Sequence, residues 1–237
     1  MKIHPTAIVH KGAKIHNTVE IGPYVVVGEN VEIGKGCKVY SHAVIGSPSQ
    51  DLKYRGERTW VRIGEDTTIR EFVTINGATG EGKETVIGNN CFLMAYVHIA
   101  HNCRLGDGVV MANCGTLAGH VEVEDKAIVG GLSAIHQFCR IGTLTLIGGC
   151  SKVVQDIPPY MIADGHPAKA QAVNMVGLKR NNAEDSVILG LKQAFKIIYR
   201  SGLNLSHALQ KIEQEISPSA QVTRLVEFIK SSDRGIC

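Results

Sequence analysis

Aromatic side chains are scarce in this chain: Phe, Trp and Tyr together make up 5% of its 237 residues. Proline is also rare, with 7 residues, whereas glycine reaches 26. A core that lacks large rings has to be filled with Ile, Val, Leu, Ala, Thr and Cys. Such a core favours the repetition of small structural units, and a chain of this length can bury it in one large domain or two small ones.

Long apolar runs are absent as well. No stretch reaches the roughly 20 residues needed to cross a bilayer, and the start, Met1–Pro5, lacks the apolar segment of a secretory signal. The 7 cysteines include no Cys-x-x-Cys pair of the kind that binds metals. Reduced thiols are typical of the cytosol, so we expect a cytoplasmic protein with no membrane span.

Charge is sparse, and its excess lies at one end. Charged residues make up 20% of the chain, and the net charge is +3. Residues 171–237 contain nine Lys or Arg against six Asp or Glu, whereas residues 1–170 are neutral. A basic segment of this size suits an acidic protein partner, or is an ordinary solvated surface; the excess is too small to indicate nucleic-acid binding.

A six-residue repeat runs through most of the chain. Between Ile3 and Val153, 23 of the 26 positions spaced six apart are apolar, and the exceptions are Asp51, Glu57 and Glu81. Glycine follows the apolar residue ten times, as in Ile21-Gly22, Ile33-Gly34, Leu105-Gly106 and Ile141-Gly142. Repeats at a fixed short period are the signature of solenoid architectures.

A second set of small or β-branched residues lies two positions before each repeat position. Inward residues at i and i−2 describe a short strand, because side chains alternate between the faces of a strand. The glycine that follows would give the chain the φ freedom to turn a corner. Short strands repeated without drift predict a parallel β-helix, and this pattern places four cysteines in its interior: Cys37, Cys91, Cys103 and Cys139.

The repeat fails at residues 49–60 and again at 76–85, and each time it regains its phase afterwards. We therefore expect two loops ejected from a continuous β-helix over residues 1–170, and such insertions tend to carry function. Pro158-Pro159 indicates a connector. From residue 171 to residue 237 the apolar spacing becomes helical, with Val187, Leu189, Leu191 and Ala194 on one predicted buried face, so we expect a C-terminal α-helical domain.

Four of the ten histidines fall between residues 98 and 136. With about eighteen residues per coil, His101 lies beside position 119, which lies beside position 137, and His120 and His136 are each one residue off that column. Coils are roughly 4.8 Å apart, so these residues and His98 form a strip along one edge. Histidine is the natural general base near neutral pH, and the strip is a candidate active site.

Two chemistries fit a histidine strip. One is acyl transfer, with a single His as base and the others positioning substrate. The other is a metal site, since three His with an open position suffice for catalytic zinc, and β-helix proteins that resemble carbonic anhydrase use them in this way. The two His five positions apart that end the ligand pattern of those proteins are absent here, so acyl transfer is favoured and no metal or other cofactor is expected.

Several motifs now identify a family. The hexads resemble those of the left-handed β-helix acyltransferases, and the run from His98 to Cys103, Leu117-Ala118-Gly119-His120 and Ile135-His136-Gln137-Phe138 resemble the signature of the UDP-N-acetylglucosamine 3-O-acyltransferases of lipid A biosynthesis. Gln50–Tyr54, Gln155–Tyr160 and Asn174–Arg180 match in order and spacing. The resemblance implies an all-β left-handed parallel β-helix with C-terminal helices, forming a homotrimer.

The resemblance also implies a role for each matching residue. His101 would be the general base, Asn102 would orient it, and the backbone N–H of Gly119 would stabilise the oxyanion. The substrate, UDP-N-acetylglucosamine, would be held by Gln50, Asp51, Lys53, His98, His120, His136, Gln137, Asn174 and Arg180, while Gly149 would measure acyl length. The acyl donor would be acyl carrier protein.

The chain departs from the family pattern at three positions. Asn102 stands where the family has Asp, Val176 replaces an acidic residue, and Asn181 replaces a second Arg. Because an amine needs a weaker base than a hydroxyl, Asn102 leaves open N-acylation of a 3-amino sugar nucleotide. A third alternative is a paralogue that only binds or assembles, although the intact histidine strip favours an enzyme.

Overall fold

The structure, a computed structural model, describes residues 2–237. Over these residues the strands are β1 (Lys2–Ile3), β2 (Ile8–Val9), β3 (Lys14–Ile15), β4 (Glu20–Ile21), β5 (Val26–Val27), β6 (Val31–Ile33), β7 (Lys38–Val39), β8 (Val44–Ser47), β9 (Trp60–Ile63), β10 (Thr68–Ile69), β11 (Thr74–Asn76), β12 (Glu84–Ile87), β13 (Phe92–Leu93), β14 (His98–Ile99), β15 (Arg104–Leu105), β16 (Val110–Met111), β17 (Thr116–Leu117), β18 (Glu122–Val123), β19 (Ile128–Val129), β20 (Ala134–Ile135), β21 (Arg140–Ile141), β22 (Leu146–Ile147), β23 (Lys152–Val153), β24 (Met161–Gly165) and β25 (Ala168–Val173). The helices are α1 (Met175–Arg180), α2 (Asp185–Arg200), α3 (Leu205–Glu215) and α4 (Ala220–Lys230).

The strands form the three faces of a prism. Face A contains β1, β4, β7, β10, β13, β16, β19, β22, β24 and β25; face B contains β2, β5, β8, β11, β14, β17, β20 and β23; face C contains the remaining seven. Hydrogen-bonded neighbours are three strands apart in sequence on faces B and C, and on face A from β1 to β22. Each coil therefore contributes one strand to every face. The corners are named AB, BC and CA after the faces that they join.

The coils are in register at eighteen residues. Ile99 pairs with Leu117, which pairs with Ile135. Two spacings are longer, because Ile45 pairs with Ile75 and Ile75 with Ile99. These spacings of 30 and 24 residues exceed eighteen by whole hexads, so the inserted segments leave the inward positions in phase. Residues 48–59 and 77–83 lie outside the strands, and both segments leave the BC corner.

The core follows the repeat. Residues at both inward positions are almost completely buried from Val19 onward, including Cys37, Cys91, Cys103 and Cys139. Burial raises the pKa of Cys91 to about 11 and that of Cys103 to about 12, so these thiols stay protonated. The predicted interior position of the four cysteines is therefore confirmed.

The predicted reason for the repeated glycine is wrong. Of the ten glycines that follow an apolar repeat position, only Gly46 has a positive φ, of 82°. At most corners the positive value falls on the second residue, as at Asn102 and His120, both with φ of 60°. A Cβ on Gly34 would lie 2.8 Å from the carbonyl carbon of Gly64. The glycine is needed because successive coils approach closely at this point.

The C-terminal end of the prism is closed. The segment around Pro158-Pro159, predicted as a connector, leads into an antiparallel hairpin of β24 and β25 that extends face A to Val173. Helix α2 packs on β25 and on α3 and α4, burying Ile188 and Leu191. Leu191 and Ala194 are buried as predicted, whereas Leu189 is 57% exposed because it lies on the opposite side of the helix from Leu191. None of the helices in residues 2–237 combines the length and apolar character that a bilayer crossing needs.

Candidate active site

The histidine strip lies on the BC corner, where each coil passes from face B to face C. The N–H of His120 donates to the carbonyl of His101 at 3.0 Å, and the N–H of Phe138 donates to the carbonyl of Gly119 at 3.2 Å. These bonds join three successive corners, so they fix the positions of the rings relative to one another. The rings of His101 and His120 meet edge to face with centroids 5.2 Å apart, and the ring of Phe138 stacks on His120 at 4.8 Å.

His101 is the most enclosed imidazole of the strip. Only 7% of the residue is exposed, and its Nδ1 lies 2.9 Å from Oδ1 of Asn102. Which of these two atoms donates depends on which end of the Asn102 amide faces the ring.

The backbone of Thr79 settles the orientation of that amide. The N–H of Thr79 donates to Oδ1 of Asn102 at 2.9 Å, and Nδ2 of Asn102 donates to the carbonyl of Thr79 at 3.2 Å. A backbone N–H can only donate and a carbonyl can only accept, so the oxygen of the amide faces His101. An amide oxygen only accepts; therefore Nδ1 of His101 carries the proton and Nε2 keeps its lone pair.

Gly119 lies directly against this ring. A Cβ at this position would overlap Cε1 and Nε2 of His101, so a residue other than glycine would displace the imidazole. Within residues 2–237 the N–H of Gly119 has no hydrogen-bond acceptor. An unpaired backbone donor beside the free nitrogen of an imidazole is a suitable site for an oxyanion.

The flanking imidazoles are biased towards the neutral form. The pKa of His98 is lowered by burial and, to a smaller extent, by the charge of His101; its Nδ1 lies 2.8 Å from Oγ1 of Thr74. The pKa of His120 is lowered by the same two causes and is raised by Asp51, which opposes them. Neutral imidazoles can donate and accept hydrogen bonds, as sugar hydroxyls require.

The loop at 48–59 brings a carboxylate to the strip. The pKa of Asp51 is lowered, first by the N–H of Lys53, which donates to its Oδ1 at 2.9 Å, and then by the charges of His101 and His120. The side chains of Gln50 and Lys53 are exposed on the same loop. Of the three predicted loop residues, Asp51 is thus near enough to His101 and His120 to interact with their charges, and Gln50 and Lys53 flank it on the loop.

His136 and Gln137 lie one coil further along the BC corner. His136 is exposed, and its Nδ1 lies 3.1 Å from the carbonyl of Gln137 and 3.3 Å from Nη2 of Arg234. Arg234 comes from the end of the chain and also donates to the carbonyl of Val154 at 3.1 Å. No sequence pattern predicts Arg234 beside the strip, because this residue follows α4 and lies outside any repeat.

Three predicted residues lie elsewhere in the chain. Gly149 is on the AB corner, across face B from His101 and three coils further along, which is roughly 14 Å at the usual spacing. Asn174 is buried at the start of α1, where its side chain accepts from the N–H of Gly177 and donates to the carbonyl of Leu144 on the CA corner. Arg180, the last residue of α1, is exposed. One chain does not bring these residues together with His101.

Three residues that support the site were not predicted from the sequence: Ser49, Thr79 and Thr85. Thr85 accepts from the N–H of Asn102 at 2.9 Å, and the hydroxyls of Ser49 and Thr79 are 2.6 Å apart. Ser49 and Thr79 lie where the repeat is interrupted, so no pattern placed them near the strip. Within residues 2–237, no three His, Cys, Asp or Glu side chains are grouped closely enough to hold a metal ion.

A prism of hexad coils that presents an imidazole base and an unpaired N–H at one corner is the architecture of the hexapeptide-repeat acyltransferases. The family profile for bacterial transferase hexapeptides (six repeats) matches residues 12–47 and 84–119, and that for UDP-N-acetylglucosamine O-acyltransferase, domain 2, matches residues 156–237. These matches define the class of the protein.

Full-length relatives define the family within that class. The acyl-[acyl-carrier-protein]–UDP-N-acetylglucosamine O-acyltransferase of Thermodesulfovibrio yellowstonii is 48% identical over 99% of this chain and 92% of its own length; that of Gloeothece citriformis is 45% identical over 83% and 71%. The UDP-N-acetylglucosamine acyltransferase LpxA from Bacteroides fragilis superposes with a TM-score of 0.92 at 38% identity, covering 99% of both chains, and LpxA from Acinetobacter baumannii with 0.90 at 40% identity, covering 99% of this chain and 98% of the other. The chain belongs to the acyl-[acyl-carrier-protein]–UDP-N-acetylglucosamine O-acyltransferase family. The predicted left-handed parallel β-helix with C-terminal helices is confirmed.

Proposed function

We propose that the BC-corner strip is the catalytic centre at which this enzyme transfers an acyl group from acyl carrier protein to the 3-hydroxyl of UDP-N-acetylglucosamine, the first step of lipid A biosynthesis. The names of its relatives favour O-acylation over the N-acylation that Asn102 had left open. The observation that carries the mechanism is the fixed protonation of His101: with Nδ1–H held by Asn102, the lone pair of Nε2 is available as a base.

The reaction begins when Nε2 of His101 takes the proton of the 3-hydroxyl. The oxygen attacks the thioester carbonyl, and the tetrahedral intermediate places its negative charge near the N–H of Gly119. Collapse breaks the carbon–sulfur bond, and the imidazolium returns its proton to the departing thiolate. The products are the 3-O-acyl sugar nucleotide and the free thiol of the carrier, so no other reactant is needed. General-base catalysis of this kind contributes about 10²–10⁴-fold.

The acceptor is held around the base. Asp51 and Gln50 on the loop bind the glucosamine hydroxyls, assisted by His98, His120, His136 and Gln137, while Lys53 and Arg180 supply positive charge for the diphosphate. The side chain of Asn174 caps α1 and so holds the helix that carries Arg180. Gly149 is exposed and has no side chain, so it leaves room for a long acyl chain to bind across it. The residue at this position thereby limits the length of the acyl group that the enzyme accepts.

A homotrimer assembles these elements. His101 and Gly149 lie on different corners, and Arg180 lies on the helical segment, so each chain holds only part of the site. The AB corner also exposes a ladder of rings, in which Tyr24, His42, Phe72 and Tyr96 follow one another with centroids 4.7–5.1 Å apart. An exposed apolar corner that carries part of the site fits an interface with the BC corner of the next chain.

The proposed cytoplasmic location follows from the donor, because acyl carrier protein supplies acyl groups in that compartment, and from the seven free thiols. The test of the function is mass spectrometry of products after incubation with UDP-N-acetylglucosamine and a panel of acyl carrier protein thioesters. We expect one ester product per acceptor, with loss of at least 10²-fold in rate for His101→Ala. Retention of more than about a tenth of the rate in that variant contradicts a general-base role.

A further inference from the structure

Two hydroxyl side chains connect the acceptor loop to the catalytic base. Oγ of Ser49 and Oγ1 of Thr79 are 2.6 Å apart, and both residues are partly buried. Ser49 belongs to the segment 48–59 that carries Asp51, whereas Thr79 belongs to the segment 77–83 that contacts Asn102. Two further bonds join the segments at Arg58, whose N–H donates to Oε2 of Glu81 at 3.1 Å and whose carbonyl accepts from the N–H of Gly82 at 2.9 Å. The hydroxyl pair joins them at the residues that contact Asp51 and Asn102.

The bonds on either side make this contact part of a continuous chain. The N–H of Asp51 donates to Oγ of Ser49 at 3.1 Å, and the N–H of Thr79 donates to Oδ1 of Asn102 at 2.9 Å. That same Oδ1 accepts from Nδ1 of His101 at 2.9 Å. Four hydrogen bonds therefore run from the backbone of the acceptor-binding residue to the imidazole.

This series of hydrogen bonds has a chemical consequence because the backbone of Thr79 determines which end of the Asn102 amide faces His101. If segment 77–83 moves, the amide loses both of its bonds to Thr79 and is free to rotate. Its NH₂ would then face Nδ1, which would become an acceptor, and the proton of the neutral ring would move to Nε2. A ring with its proton on Nε2 cannot take a proton from the substrate at that atom.

We propose that Ser49 and Thr79 are positioning residues, whose hydroxyl contact couples the loop that holds the acceptor to the tautomer of His101. The inference rests on the proposed function, because it assigns a purpose to the orientation of His101 as base. The position of Asp51 on the sugar and the availability of the Nε2 lone pair of His101 then depend on the same hydrogen bonds. The backbone of an inserted segment here holds an uncharged amide in the orientation that the reaction requires.

A double-mutant cycle tests the coupling. Ser49→Ala and Thr79→Val each remove one hydroxyl while keeping the backbone, and Thr79→Ser restores it. Each single variant should lower kcat/KM for the acceptor about three- to tenfold, the effect of one neutral hydrogen bond, with both a higher acceptor KM and a lower kcat. The double variant should lose no more than the larger single loss, and Thr79→Ser should recover the wild-type rate.

The tautomer of His101 distinguishes coupling from a structural role, because substitutions of Ser49 or Thr79 that only destabilise the fold would leave this tautomer unchanged. In protein labelled with ¹⁵N-histidine and free of substrate, the ¹⁵N shifts of His101 should report Nδ1–H in the wild type and a mixture of tautomers in both single variants. Thr68→Val, a change to a half-buried threonine on face A, is the matched control and should alter neither shifts nor kinetics. If Thr79→Val does not fold, Thr79→Ala removes the same hydroxyl.

Losses that multiply in the double variant, or unchanged ¹⁵N shifts in both single variants, overturn the coupling. So does a lower melting temperature with unchanged kinetics. The NMR measurement needs no substrate, so it tests the coupling even if the acceptor were a different sugar. Failure of the proposed function would instead appear as an active His101→Ala variant.

Discussion

The imidazole of His101 lies against the Cα of Gly119 so closely that a Cβ there would overlap Nε2, the atom that carries the free lone pair. Gly119 therefore has two purposes: it leaves room for the base and it presents its own N–H to the developing oxyanion. Both depend on the eighteen-residue register that puts positions 101 and 119 side by side.

Gly119→Ala should lower kcat without unfolding the protein. The methyl group would push the ring of His101 aside, and displacement of a catalytic group by about 1 Å costs about 10²-fold. Gly22→Ala is the control, since its Cβ meets only backbone, at 3.1 Å from the carbonyl of Val39, far from the strip. Steady-state kinetics with thermal melts distinguish the two variants; a Gly119→Ala enzyme of normal kcat would show that the ring tolerates displacement.

The lowered pKa values of His98 and His120 predict a stability that falls in acid. Both groups bind a proton less readily folded than unfolded, so below the ordinary value of 6.5 the unfolded chain holds more protons. Their contribution is complete above pH 6.5 and is lost as the pH falls towards the folded values. Urea unfolding at several pH values should show a shallower decline for His98→Gln than for the wild type. His10→Gln, at an exposed position, should keep the wild-type slope.

The basic side chains of α2 should serve the carrier protein rather than the chemistry. Lys192, Lys196 and Arg200 are exposed and four residues apart on one side of the helix. Reversal of all three charges should lower kcat/KM for acyl carrier protein about tenfold at low salt, and less at high salt, because charge complementarity acts on association. A small acyl-pantetheine donor should be unaffected.

Equal losses with both donors would mean that the triple variant is damaged in its fold. Reversal of Lys11, Lys35 and Lys38, three exposed lysines of the β-helix, makes the same change in net charge and supplies the control. This control should leave the use of both donors unchanged.

Asn102→Asp should accelerate the reaction modestly. In the serine-protease triad, Asn in place of Asp costs about 10⁴-fold in kcat because the imidazole adopts the wrong tautomer. Here Thr79 already fixes the correct tautomer, so Asp adds only a negative charge that favours the imidazolium, worth about tenfold. The acidic limb of the pH profile should move upward.

The same substitution should lower the melting temperature, because a carboxylate oxygen would face the carbonyl of Thr79 where Nδ2 now donates. A gain of about 10³-fold or more would mean that the Asn102 amide rotates freely in the wild type. A lower rate would mean that the contact with Thr79 matters more than the charge.

The coils and the strip could be predicted from the sequence because both depend only on periodicity. Once the repeat is continuous from Ile87 to Val153, counting eighteen residues places His101 beside Gly119 and buries Cys103, and the structure bears this out. The contact between Thr79 and Asn102 could not be predicted, because the repeat is lost at 76–85 and no count gives the position of a residue in that segment.

Two other features depend on contacts that a sequence does not display. The strand β25 forms because its backbone can pair with β24, although Pro158-Pro159 nearby favours a connector. The glycines at the ends of the strands reflect the distance between coils, and that distance is a property of the stacked structure rather than of any one hexad.

Mixing of inactive variants tests whether the site is shared between chains. In the proposed trimer, each active site contains His101 of one chain and Arg180 of another. A His101→Ala chain and an Arg180→Glu chain therefore each lack a different one of the two contributions to the site. Random co-assembly after dilution from denaturant should regenerate about a quarter of the sites, since each intact site needs the right chain on both sides. Activity of the mixture should therefore rise well above that of either variant refolded alone, and light scattering should give three times the chain mass. If both residues act within one chain, no mixed assembly contains an intact site, and the mixture stays as inactive as its components.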